Sequence, residues 1–384
     1  MQFFRKKKII YLILIPLALI SIFSIIYSFN IAITYGSTDF QYSPTVLFKE
    51  KINPYEYFLY SENTERIFPV QYPVYSHLTY FLFYIYALFD WPTAKILWGI
   101  SNILIALISS IIITSHAKLK FKFILLILSL FFLSTPLRNC IGNGQLSNLI
   151  LLIFCSFLIT SPNLKNFFLG FSYIKYSFMP LCAFLILKKD GLKGFIISFL
   201  VCAIGWILFS IYLNQNILDT LFQPLYSGFK GFDNTLARGD IYTIINFFYA
   251  SDNFPYLIIS LLFLISFLIA QEIAKEKDLL LSLSLMSVAN LFIFGHLIYD
   301  YVLLLPLLVY SFKNFSNKIS KLSLIIIFYF WFGIRLVEYV KMYLYNLDVI
   351  VPTKFDVILN FLLLLILYFI NSKNLVQNLK FNKK

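Results

Sequence analysis

Apolar residues run through this chain in long blocks separated by short polar breaks. The blocks lie at 9–33, 95–114, 121–135, 147–161, 166–187, 194–213, 254–271, 279–295, 297–312, 322–339 and 356–371, and 74–89 is a less regular candidate. Several reach the roughly 17 to 25 residues a helix needs to cross hydrocarbon. A membrane β-barrel would instead alternate apolar and polar residues over segments of about ten. The pattern predicts an all-α polytopic membrane protein in a single domain over 1–384. Two blocks leave the topology open. Segment 74–89 either crosses or lies as a juxtamembrane helix, and 166–187 is either one span or two half-helices that turn near Lys175.

Charge chooses between these arrangements. Cytoplasmic loops of membrane proteins retain Lys and Arg. If 74–89 does not cross and 166–187 folds back on itself, one side of the membrane holds 1–8, 115–122, 162–165, 188–193, 272–278, 313–321 and 372–384. These segments contain 20 of the 31 basic residues and 4 of the 18 acids, which leaves +16 on that side and −3 elsewhere. The alternative puts Lys118, Lys120 and Lys122 outside. The expected arrangement therefore has both termini cytoplasmic and about twelve crossings or half-crossings. Its largest outer loops are 34–94, 214–253 and 340–355, and 372–384 is a basic cytoplasmic tail. The run after Arg5-Lys6-Lys7-Lys8 is long for a signal peptide and lacks a small-residue cleavage pattern, so it is expected to stay as an anchor.

Mean hydropathy of +0.81 and 60% apolar residues exclude an ordinary soluble domain. The net charge of +13 then reads as topology, not as affinity for nucleic acid. The four cysteines have no CxxC or metal-ligand spacing, so neither a disulfide framework nor a metal site is expected.

Candidate chemistry gathers near the outer ends of the blocks. Asp39, in GSTDFQY, follows the first span closely and is flanked by Phe40 and Tyr42. It is either a solvated loop aspartate or a partly desolvated general base with a raised pKa. GNGQLSN (142–148) places Gln145 and Asn148 three apart on one face. Arg138 is an interfacial anchor or a phosphate ligand. Lys175 lies inside an apolar run, where burial in lipid would cost about 2.5 to 3.5 kcal/mol, so it should face a cavity or an anion. His296, Tyr299 and Asp300 interrupt the late blocks, and His296 and Asp300 share a face if that turn is helical. Arg238 stands in the outer loop before Gly239 and Asp240. His77 and His116 are incidental on this reading.

In this order, Asp39 in GSTDFQY, Asn53-Pro54-Tyr55, YPVY at 72–75, NGQLSN at 143–148, Lys175 with Pro180, and His296 resemble the family-87 membrane glycosyltransferases. That family lies within the C-type superfamily that uses polyprenyl-phosphate sugars. Val74 departs from it where a second proline is common. The resemblance covers the first 190 residues well and the rest loosely. It implies transfer of a hexose or pentose, mannose above all, from a polyprenyl-phosphate donor to a lipid-linked or glycan acceptor. The reaction would be inverting and on the outer face. The implied roles are Asp39 as base, Arg138, Gln145, Lys175 and His296 around the donor phosphate, and Tyr42, Asn148, Arg238, Tyr299 and Asp300 supporting them or the acceptor. No cofactor is implied, and the bacterial inner membrane is the implied location. A flippase or transporter would predict repeated halves and polar groups spread through the bilayer depth. A glycan ligase or polymerase would place its distinctive loop late in the chain. An assembly subunit of an envelope-glycan complex is the non-catalytic alternative.

Overall fold

The computed structural model describes residues 2–231, 239–248, 255–345 and 353–381, and the described elements are all helical. Six helices are long and apolar enough to cross a membrane: Leu12–Thr34, Trp91–His116, Tyr176–Tyr212, Leu257–Ala274, Lys318–Leu344 and Lys354–Lys373. A seventh candidate is broken: α6 (Phe121–Leu133) and α7 (Thr135–Gly142) meet at a 56° bend. The break is written in the sequence, because Ser134 leaves α6 in an extended conformation and its hydroxyl caps α7, with Pro136 in the first turn. The remaining apolar blocks form shorter or broken helices, so long helices alone do not supply the twelve crossings expected.

Segment 74–89 does not span. It forms α4 (Leu78–Phe83) and a 3₁₀ turn at Tyr86–Leu88, each far too short to cross. Block 166–187 is broken where Lys175 stands. Helix α9 (Pro162–Gly170) and a 3₁₀ turn lead up to Lys175, and α10 (Met179–Tyr212) leads away. Lys165 and Asp190 pair at 2.9 Å, so the two arms run antiparallel with Lys175 at the turn. Gly191, at φ 72°, then kinks α10 in a conformation a side chain would disfavour.

Lipid-facing and buried helices separate clearly. Helix α1 (Gln2–Thr34) exposes Ile13, Leu19, Phe23 and Ile26, and α5 (Trp91–His116) exposes Ile100, Leu104 and Ile111. In water such surface would be an aggregation liability, whereas in a bilayer it is solvated by lipid. By contrast, α15 (Leu279–Ile293) is buried on every side from Leu280 onward, as are Ile298–Leu304 and most of α16 (Leu305–Lys313). These two short blocks form the interior of the protein.

Two short helices carry the first loop. Asn53 caps α3 (Pro54–Tyr60) by accepting from the amides of Tyr55 and Glu56. Its own Nδ2 donates to Gln215 and Gln223, whose amides donate in turn to the Glu56 carboxylate. This closed ring fastens the first loop to the segment 214–223.

Candidate active site

The Asp39 loop is docked onto the end of α7. Ser37 N donates to Gly142 O at 2.8 Å, and Asp39 N donates to Asn143 O at 3.0 Å. The approach is so close that a Cβ on Gly36 would lie 2.2 Å from Gly142 O. The fully buried ring of Phe40 stacks on Trp98 at 5.5 Å and anchors the far side of the loop. Gln71 bridges the loop to α2 (Tyr42–Lys49). Its Oε1 accepts from Ser43 N and Oγ, and its Nε2 donates to Ser37 O. Asp39 is thus half-buried on a rigid support. Burial pushes its pKa from 3.8 up to about 6. A hydrogen bond from the Gln145 side chain opposes that rise, Asp300 adds to it, and Lys175 opposes it.

Opposite this loop lies a buried ion pair. Lys175 Nζ meets Asp300 Oδ1 at 2.6 Å, and Ser147 Oγ donates to the same oxygen at 2.6 Å. Asp300 Oδ2 accepts from Leu297 N, which fastens the turn that carries it. Lys175 lies 4.6 Å from the Phe178 ring centre and 5.9 Å from that of Tyr299. Its charge therefore meets an anion and two aromatic faces, as its position in an apolar block required. Asp39, Gln145, Lys175, Tyr299 and Asp300 form one cluster.

The other expected residues fall elsewhere. His296 does not share a helix face with Asp300, because residues 294–297 are irregular and a 3₁₀ helix begins only at Ile298. His296 Nδ1 lies instead 3.7 Å from Asp240, a fully buried carboxylate that accepts from Thr243 N and Oγ1. Burial pushes the Asp240 pKa up to about 7 against these hydrogen bonds. Asn148 is buried and donates to Asn102 Oδ1 at 2.6 Å, and Asn102 Nδ2 donates to the carbonyls of Cys140 and Gln145. Its contacts brace the NGQLSN turn. Arg138 donates to Thr135 Oγ1, and its buried Nε has no hydrogen-bond partner among the described residues. Tyr42 donates to Phe89 O and lines a cavity of about 290 Å³ with Ser43, Val46, Leu47, Arg66, Phe68 and Trp91. Arg238 lies outside the described residues.

Reading the sequence passed over Tyr75, Gln71 and Ser147. Tyr75 and Ser147 stood within quoted motifs, YPVY and NGQLSN, yet a tyrosine or serine there reads as packing or capping until its partner is known. Gln71 has no local signal at all. His77, set aside as incidental, is buried with Nε2 3.0 Å from Thr220 O, and burial holds its pKa down at about 4, so it links two loops as a neutral ring. Among the described residues no three His, Cys, Asp or Glu side chains converge as a metal site would require.

A sequence model described as glycosyltransferase family 87 matches residues 74–299. The match spans the NGQLSN turn, Lys175 and His296, while Asp39 and Asn53-Pro54-Tyr55 precede it. No curated protein and no solved structure matches the chain.

Proposed function

The chain belongs to glycosyltransferase family 87, and from that premise we propose that it moves a sugar from a polyprenyl-phosphate carrier to a lipid-linked or glycan acceptor, with Asp39 as general base. The observation that carries this reading is the half-buried Asp39, rigidly held with a pKa of about 6 beside the Lys175–Asp300 pair. A base is most useful when its pKa lies near the operating pH.

The acceptor hydroxyl attacks the anomeric carbon and its proton passes to the Asp39 carboxylate. A bond forms between that carbon and the acceptor oxygen as the bond to the phosphate oxygen breaks, with inversion. The bonding electrons leave on the lipid phosphate, which needs positive charge more than a proton. Lys175 supplies that charge by sharing itself between Asp300 and the phosphate, and Arg138 is a second candidate. The contacts of Gln145 and His296 to carboxylates favour supporting roles for them over phosphate binding. Mannose is the sugar to test first. The charge distribution along the chain supports an outward-facing site and cytoplasmic termini, and the family resemblance supports a bacterial inner membrane location.

The test is transfer from a labelled polyprenyl-phosphate mannose by purified protein in nanodiscs. Asp39→Asn is expected to lose about 10²- to 10⁴-fold in rate while remaining folded. Full activity in that variant overturns the assignment.

A further inference from the structure

Gln145 has a backbone held on all sides and a side chain with two distinct partners. Its N donates to Cys140 O at 2.9 Å, and its O accepts from Asn102 Nδ2 at 3.1 Å. The residue is 1% exposed, so water does not compete for its amide. The side chain lies beside Asp39 and opposes the rise in its pKa as a donor does, and its Oε1 accepts from the hydroxyl of Tyr75 at 3.3 Å, a residue that is itself buried. An amide placed between these groups can point either way. An ionised Asp39 accepts only, so it must face the amide NH₂. That leaves Oε1 toward Tyr75, and the phenol must then be the donor.

Tyr75 is well placed to hold this orientation. Its carbonyl accepts from Tyr55 Oη at 2.6 Å, and the next residue's amide donates to Ile174 O at 2.9 Å. The YPVY segment is thereby tied to the helix cap of Asn53-Pro54-Tyr55 and to the residue preceding Lys175.

Resting on the proposed role of Asp39, we infer that Tyr75 is a positioning residue: its hydroxyl fixes the Gln145 amide so that the NH₂ binds one carboxylate oxygen of Asp39 and leaves the other for the acceptor hydroxyl. The other titratable groups that face Asp39 are Asp300, Lys175 and Tyr299. Asp300 and Tyr299 also interact with the Tyr75 hydroxyl, so the Gln145→Ala background is what separates their share from that of the amide. In Tyr75→Phe the ring still packs, but Gln145 is free to turn its carbonyl toward Asp39. Protonated Asp39 can then donate to that carbonyl, so the neutral form gains.

The experiment uses the full-length protein in nanodiscs and two readouts. The first is the infrared carboxyl band of Asp39, assigned by its loss in Asp39→Asn and titrated between pH 4 and 8. Tyr75→Phe is expected to raise its midpoint by about 0.5 to 1 pH unit, and Gln145→Ala to raise it with no further effect of adding Tyr75→Phe. The second is kcat/KM for transfer, expected to fall about two- to fivefold at pH 6 and to recover to within about twofold at pH 8. A midpoint unmoved in Tyr75→Phe overturns the inference, as does a loss of rate equal at both pH values. If the band shifts as expected while no variant and no wild-type protein transfers sugar, the relay stands and the proposed function falls.

Discussion

Asp39 must be ionised to take a proton, yet its surroundings favour the neutral form. A half-buried carboxyl near Asp300 pays in stability for its poised pKa. The folded-state value of about 6 exceeds the unfolded 3.8, so the folded protein binds more protons between those values and loses stability as pH rises through that window. Two consequences can be measured. The acid limb of kcat/KM should fall away below about pH 6, with pH 5 about tenfold below the plateau. Asp39→Asn, which removes the charge and keeps the shape, should melt higher than wild type at pH 7.5, with the gap closing toward pH 4. A melting point for Asp39→Asn below that of wild type at pH 7.5 would show that the carboxylate stabilises the loop and that the poised-base account is wrong. Asp39 was legible in the sequence by its place after the first span. Its support was not, because the contacts from Gly142, Asn143 and Gln145 come from about a hundred residues away.

The elements around Lys175 show what a sequence can and cannot specify. The balance of basic residues between the two sides predicted a break near Lys175, and a lysine inside an apolar block predicted polar company there, since a charge in hydrocarbon is costly. The antiparallel arms of α9 and α10 follow that expectation. Its partner was missed, because His296 and Asp300 share a face only in a helix, whereas His296 lies in irregular chain and Asp300 in a 3₁₀ helix that begins at Ile298. The structure gives Asp300 to Lys175 and Asp240 to His296. The Lys175–Asp300 contact joins the turn of one broken helix to the start of another, and Asp300 is only 1% exposed. Removing one partner strands a buried charge, and Lys175→Met should cost about 3 to 5 kcal/mol. The double variant Lys175→Met with Asp300→Asn should recover much of that, since Ser147 can still bond the amide. Chemical denaturation of the four proteins in detergent closes this cycle. A double variant destabilised by the sum of the two single effects would show that the pair is uncoupled.

At the scale of the whole molecule, side-chain contacts gather the basic segments at one end of the bundle. Lys189 Nζ donates to Glu276 O, Lys313 lies 3.9 Å from Asp278, Lys165 pairs with Asp190, and the Phe123 and Phe312 rings meet at 6.3 Å. At the other end, Lys95 Nζ donates to Thr34 O, the Asp39 loop seats on Gly142, and Lys175 meets Asp300. This two-ended arrangement matches the charge pattern of the sequence, which had no knowledge of contacts. What the pattern could not separate was a lipid-facing helix from a buried one, since both are apolar all round. The blocks at 279–295 and 297–312 therefore read as spans although they form the interior. Helix Leu12–Thr34 rises roughly 34 Å at 1.5 Å per residue, enough to carry the chain from one surface to the other. Thr38 is exposed just beyond it, while Lys118 and Lys193 are exposed at the basic end. With the four native cysteines buried or half-buried, single cysteines at these places report the orientation directly. In intact cells a membrane-impermeant maleimide should label Thr38→Cys, and it should reach Lys118→Cys and Lys193→Cys only after permeabilisation. The reverse pattern would place Asp39 on the cytoplasmic side. The charge asymmetry of +16 against −3 would then have to be explained by something other than retention of basic loops.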